Sequence, residues 1–291
     1  MAGDPCHPGK PLHREDFYTM SDLVTPVLKG GSLIYRQRHP VRLWHWINAL
    51  SVTVMLMSGL MIFNAHPRLY WGQYGADHET PWLTIGAKED AGFLKLGPVT
   101  IPTGKLLGIS DGAERAFPPL VTIPSSYDLA AARQWHFAFA WLLVVPGLLF
   151  WVWSFASRHL QRDLAPTPAE LHPRNLWQDI KDHARLRFHT GEAARRYNIL
   201  QKLSYVGVIF GLLPAMVLTG LTMSPGVDAA WPWLLDLFGG RQSARSVHFI
   251  CAVLLVGFII VHLLMVLLAG PLNELRSIIT GWYRLPMEKA R

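Results

Sequence analysis

From Val247 to Ala269 the chain runs without a single charged residue, and the only strongly polar side chains in that run are His248 and His262. A segment this long and apolar is read as a helix crossing a bilayer, about 20 residues being enough. Fourteen residues of helix rise about 21 Å and return to within about 40° of the starting direction, so both imidazoles lie on one side near opposite membrane faces. Polar side chains at such depth are costly, and two on one face point to something inside the bundle that binds imidazole. Bonding to neighbouring backbone carbonyls is the other reading.

The rest of the chain sets the context. Of 291 residues, 51% are hydrophobic and 16% charged, too apolar a balance for a soluble domain of this size. Four windows are fit to span: Leu43 to Phe63, Gln134 to Ala156, Leu203 to Met223 and Ser246 to Ala269, none holding Asp, Glu, Lys or Arg. The fold expected is an all-α membrane protein, a four-transmembrane-helix bundle. The net charge of +7 does not indicate nucleic acid, because the basic residues gather beside hydrophobic ends. Six Lys and Arg precede the first span, nine lie between Arg158 and Lys202 and four follow Gly270, against six and two in the other two loops. That asymmetry predicts a multi-pass membrane protein with both termini and the middle loop cytoplasmic.

Residues 1 to 34 are polar and Pro-rich and read as a disordered cytoplasmic tail; residues 35 to 285 form the membrane domain, and 286 to 291 a second tail. Cys6, His7 and His13 match no zinc spacing, Cys6 and Cys251 are not placed to form a disulfide, and no cleavable leader is expected. A periplasmic loop over 64 to 133, with β-like pieces such as Pro98 to Pro102, is longer than two adjacent helices need and reads as a docking surface or a self-packed cap. Pro146-Gly147 predicts a kink in the second span. Apolar residues at helical spacing over Asn175 to Phe188, and again at Leu275, Ile278, Ile279 and Trp282, predict cytoplasmic interfacial helices.

The spans hold four histidines. Alternating direction places His45 and His262 near the cytoplasmic face and His136 and His248 near the outer one. Two imidazoles on opposite sides of an iron hold a low-spin b-type haem, so His45 with His262 would bind an inner haem iron and His136 with His248 an outer one. Zinc normally takes three or four protein ligands, which neither level offers. Arg42, Arg133 and Arg245 each stand three residues before a ligand, on roughly the same helix face, where they can pair with haem propionates.

Arg42-Leu-Trp-His45-Trp-Ile-Asn-Ala, Met57-Ser-Gly59-Leu, Tyr197-Asn-Ile-Leu-Gln-Lys202, Pro214 and Thr219-Gly220 complete the pattern. Over residues 35 to 285 the chain resembles the bacterial di-haem b-type cytochromes, the membrane subunits of nickel-iron hydrogenases, formate dehydrogenases and thiosulfate reductases. The resemblance implies two haem b groups that carry electrons between a periplasmic oxidoreductase and a quinone bound near the cytoplasmic level. The long outer loop resembles that of members paired with molybdenum (molybdopterin) enzymes. Asn48, Asn198, Gln201 and Lys202 lie at the depth where such a quinone would bind, and amide side chains can hydrogen-bond its carbonyls. A histidine-based transporter of protons or metal ions is the alternative, weakened by the lack of carboxylates in the spans.

Overall fold

The computed structural model describes residues 31–75, 79–110, 112–185 and 197–285. The expected tails over 1–30 and 286–291, and the basic stretch 186–196 with Phe188, lie outside the described residues. Four helical segments are long and apolar enough to cross a membrane: His39–Phe63, Leu129–Ala156, Ile199–Thr222 and Arg241–Ala269. At 1.5 Å per residue the shortest is about 36 Å long, more than the roughly 30 Å hydrocarbon core. The first, second and fourth are single α-helices, here α1, α2 and α8.

Each span starts four or five residues before the expected window. Helices do not stop where charge appears; they stop where a cap ends them. Pro40 sits in the first turn of α1, where its missing N–H leaves no bond unmade. Asp128 caps α2 by accepting from the backbone N–H of Ala131 at 2.9 Å. The outer loop therefore ends at Asp128 rather than at 133, and Arg42, Arg133 and Arg245 all lie within helices. α2 runs as one helix through Pro146.

The third span is not one uniform helix. α4 (Ile199–Val206) passes into a π-helical stretch over Gly207–Leu212 before α5 (Leu213–Thr222) resumes. Pro214 is the physical reason: it has no N–H to donate to Phe210, and its ring would clash with that carbonyl, so the turn before it widens. α1 packs along α2, and α8 along α5. Ser51, Ser58, Ser154 and Thr219 are fully buried within the spans, small residues that let backbones approach.

The loop after α1 builds an antiparallel sheet in the order β2 (Arg68–Leu69), β3 (Leu83–Lys88), β4 (Ala91–Leu96) and β5 (Val99–Gly104), followed by a small ribbon of β6 (Ile109–Ser110) and β7 (Ala113–Glu114). Leu69, Leu83, Ile85 and Ala116 bury themselves against Phe63 at the end of α1, with Phe249 of α8 packed on the same cluster. Trp82 donates its indole N–H to Ser246 Oγ at 2.9 Å, and Ser246 donates to the Tyr70 carbonyl at 2.6 Å. The loop is a cap fastened to the bundle. We call this end of the molecule the sheet end.

At the opposite, terminal end, β1 (Leu33–Tyr35) pairs antiparallel with β8 (Trp282–Arg284). The boundary expected between 34 and 35 therefore cuts a strand. Surface helices occur where the apolar spacing predicted them, as α3 (Pro173–Ala184) and α9 (Pro271–Thr280). Trp177 and Ile180 of α3 and Leu272, Leu275 and Ile279 of α9 are exposed, as an interfacial helix requires, whereas Trp282 belongs to β8. Two short helices between α5 and α8, α6 (Pro225–Ala230) and α7 (Trp233–Leu237), had no clear periodic signal.

Candidate functional site

Helix direction alone brings the four span histidines into two pairs. His45 of α1 faces His262 of α8 with ring centres 6.4 Å apart, and His136 of α2 faces His248 of α8, also at 6.4 Å. The ring planes are inclined by 56° and 58°. A metal–imidazole bond is about 2 Å and a ring centre lies about 1 Å behind its nitrogen, so two rings on opposite sides of one iron have centres about 6 Å apart. Both pairs have that spacing. Among the described residues no group of three or more His, Cys, Asp or Glu could hold a metal ion, so each level offers two imidazoles, the number a six-coordinate haem iron takes.

The sheet-end pair is held in detail. His136 Nδ1 lies 3.1 Å from the Met55 carbonyl oxygen and 3.1 Å from Ser58 Oγ. A carbonyl can only accept, so Nδ1 carries the proton. Ser58 donates its own hydrogen to the Val54 carbonyl at 2.7 Å, which leaves its oxygen free to accept as well. His248 Nδ1 is 2.9 Å from Thr219 Oγ1, whose hydrogen goes to the Ala215 carbonyl at 2.6 Å. The result is the same tautomer in both rings, with Nε2 left as the unprotonated nitrogen that binds a metal.

The residue after each hydroxyl is glycine. A Cβ on Gly59 would stand 3.4 Å from His136 Cε1, and one on Gly220 would stand 3.5 Å from His248 Cε1, ordinary contact distances that show each ring lying directly against a glycine. Ser58-Gly59 and Thr219-Gly220 are thus two copies of one device on two different helices. In the sequence alone neither dipeptide carries this role, because a helical hydroxyl is ordinarily satisfied by its own preceding turn.

The terminal-end pair is held by ring contacts. Trp46 meets His45 edge-on at 5.3 Å, and Phe258 stacks on His262 at 5.8 Å and 15°. His45 Nδ1 is buried with no hydrogen-bond partner among the described residues. Trp44, beside His45, stacks on Phe150 of α2 at 4.2 Å.

The three arginines sit one turn from their histidines. Arg42 donates to the Ile279 carbonyl of α9, and its Nε is buried without a partner. Arg245 donates to the carbonyls of Arg68, at 3.1 Å, and His66. Arg133 is exposed, 5.9 Å from the ring of Phe137. None of the three forms an ion pair with a carboxylate among the described residues.

The four expected quinone residues do not form one cluster of available polar groups. Asn198 and Gln201 make a capping box at the start of α4: Asn198 Oδ1 accepts from the Gln201 N–H at 2.8 Å, and Gln201 Oε1 accepts from the Asn198 N–H at 3.3 Å. Lys202 is buried and pairs with Glu170 at 2.8 Å. Asn48 differs, its Oδ1 being buried without a partner one turn after His45. A groove of about 620 Å³ between α1 and α9 is lined by His39, Arg42, Leu43, Trp46 and Ile279, and none of the four expected residues lines it.

Comparison with known proteins gives the same direction. Over 232 residues, 79% of this chain and 90% of the relative, the sequence is 29% identical to YedZ1 of Azospira oryzae, named as a protein-methionine-sulfoxide reductase subunit. It is 22% identical, over 88% of this chain and 90% of the relative, to a protein of Azotobacter vinelandii named as a Ni/Fe-hydrogenase B-type cytochrome subunit. A cytochrome of Escherichia coli, YdhU, is 26% identical over 87% of this chain and 76% of its own length. No solved structure matches. Residues 36–281, the whole bundle with both histidine pairs, match the model of the prokaryotic cytochrome b561 family, to which this chain belongs.

Proposed function

We propose that this chain is the di-haem membrane subunit of an inner-membrane redox complex, passing electrons between an oxidoreductase docked on its sheet end and quinone at its terminal end. The observation that carries this reading is the pairing of four histidines, two by two, at the spacing two imidazoles need around one iron. Haem b, when bound, supplies a one-electron iron couple. His45 and His262 would hold one group, and His136 and His248 the other. Arg42, Arg133 and Arg245, cations without carboxylate partners among the described residues, would neutralise propionates near the membrane surfaces.

The distribution of Lys and Arg supports placing both termini in the cytoplasm and the sheet end in the periplasm. There the capping sheet gives a partner a folded surface, and Leu96, Val99 and Ile101 on β4 and β5 are exposed apolar contacts for it. Relatives named as hydrogenase and sulfoxide reductase subunits support a redox enzyme in that place. The long loop favours a molybdenum-containing one.

For the quinone, Asn48 is the best supported of the four residues, because its carbonyl oxygen is buried and unpartnered beside the terminal-end pair. Its amide can donate to a quinone carbonyl and its oxygen can accept from a quinol hydroxyl. The purified protein, reduced with dithionite and mixed with a short-chain quinone, should reoxidise with the b-type spectrum collapsing in step. Asn48→Leu should slow this about tenfold, the equivalent of one lost hydrogen bond to the substrate. A wild-type protein that quinone cannot reoxidise would overturn the quinone assignment.

A further inference from the structure

The two histidine pairs are built differently, and the difference bears on which way electrons fall. At the sheet end both rings give their Nδ1 protons to acceptors: His136 to Met55 O and Ser58 Oγ, and His248 to Thr219 Oγ1. The two hydroxyls can act only as acceptors there, since each has its own hydrogen on a carbonyl of the preceding turn. At the terminal end, neither ring has a hydrogen bond at a ring nitrogen among the described residues, and His45 Nδ1 is buried.

We infer that Ser58-Gly59 and Thr219-Gly220 make the sheet-end haem the lower-potential of the two, so that an electron runs downhill from the sheet end to the terminal end. The reasoning is electrostatic. An imidazole whose Nδ1–H is held by an acceptor is a more basic ligand, and a more basic ligand favours ferric over ferrous iron. The rings lie against Gly59 and Gly220, beside the hydroxyls that accept from them. Ser58 and Thr219 are positioning residues in this account, acting through the histidines. With haem held at both pairs, one electron would pass from the sheet-end centre to the terminal-end centre, the first oxidised as the second is reduced, and no proton would move.

This inference rests on the di-haem reading, and the test separates the two. Purified protein is titrated potentiometrically while its b-type absorbance is followed, for the wild type, for His45→Ala, which keeps only the sheet-end haem, and for Thr219→Val. The haem remaining in His45→Ala should titrate at the lower of the two wild-type midpoints. Thr219→Val should raise that midpoint alone, lowering its ferric-to-ferrous ratio at a fixed potential about tenfold, which for one electron is 59 mV. Thr219→Ser, which keeps the acceptor and loses only the methyl, should titrate at the wild-type value, so that any change confined to the valine variant reports the hydroxyl. A sheet-end haem found at the higher midpoint, or a valine variant that shifts neither or both transitions, overturns the inference while two haems still titrate. A wild-type protein with fewer than two haems instead overturns the di-haem reading, and the inference with it.

Discussion

Gly281→Ala should loosen the terminal end of the molecule selectively. Gly281 ends α9 at φ +91° and ψ −14°, a conformation L side chains rarely adopt, and its carbonyl accepts from the backbone N–H groups of Arg36 at 2.8 Å and Gln37 at 3.1 Å. A Cβ there would stand 2.9 Å from the Gln37 carbonyl oxygen and closer still to the Tyr35 ring. Holding alanine in such a conformation costs about 1–3 kcal/mol, and relief requires the β1–β8 pairing to shift. For a chain of this size about 2 kcal/mol corresponds to a fall of about 3 °C in the melting midpoint. The strain falls beside the segment where Arg42 of α1 is tied to Ile279 of α9, so His45 should lose its place before His136 or His248 does. The assay is thermal unfolding in detergent, followed by tryptophan fluorescence and by haem absorbance. A variant that melts with the wild type would refute the claim that this glycine is conformationally required.

Two further outcomes follow from contacts away from the histidines. Burial would raise the Asp163 carboxyl, but the 2.6 Å hydrogen bond with His159 and the charges of Arg38 and Arg162 prevail and hold it below its usual range. A depressed carboxylate stabilises above its unfolded pKa of about 4 and loses that contribution as pH falls through the folded value. Asp163→Asn should therefore melt lower than the wild type at pH 7, with the gap closing below about pH 4. Trp82→Phe removes the indole bond to Ser246 and leaves that hydroxyl's remaining bond to Tyr70 intact, so the sheet should detach more easily. The expected loss is about 1 kcal/mol, read as faster proteolysis within residues 66–127 while the helices persist.

Which parts of this structure could be read from the sequence follows from where the physics is local. Four apolar windows and the placement of histidines within them were enough to pair His45 with His262 and His136 with His248, because a straight helix fixes both depth and face. The helices begin before the apolar windows, since a charged side chain such as Arg245 ends an apolar run without ending the helix, its guanidinium reaching backbone carbonyls of Arg68 and His66. The cap on α4 is legible as Asn198 followed three residues later by Gln201, but a pair of amides at that depth also suits a quinone, and spacing alone does not separate the two roles. The π-helical stretch before Pro214 and the β1–β8 pairing depend on contacts distant in sequence or on backbone geometry that no periodicity records. The Ser58-Gly59 and Thr219-Gly220 devices take their meaning from a histidine on another helix, visible only once the helices are side by side.

The measurement closest to the central claim is the b-type haem content per chain, by pyridine haemochrome, of the wild type and of two variants on α8. Two haems are predicted for the wild type, one each for His248→Ala and His262→Ala, and none for the double variant. Full haem content in either single variant, or the loss of both haems from each, would contradict the assignment of two separate centres.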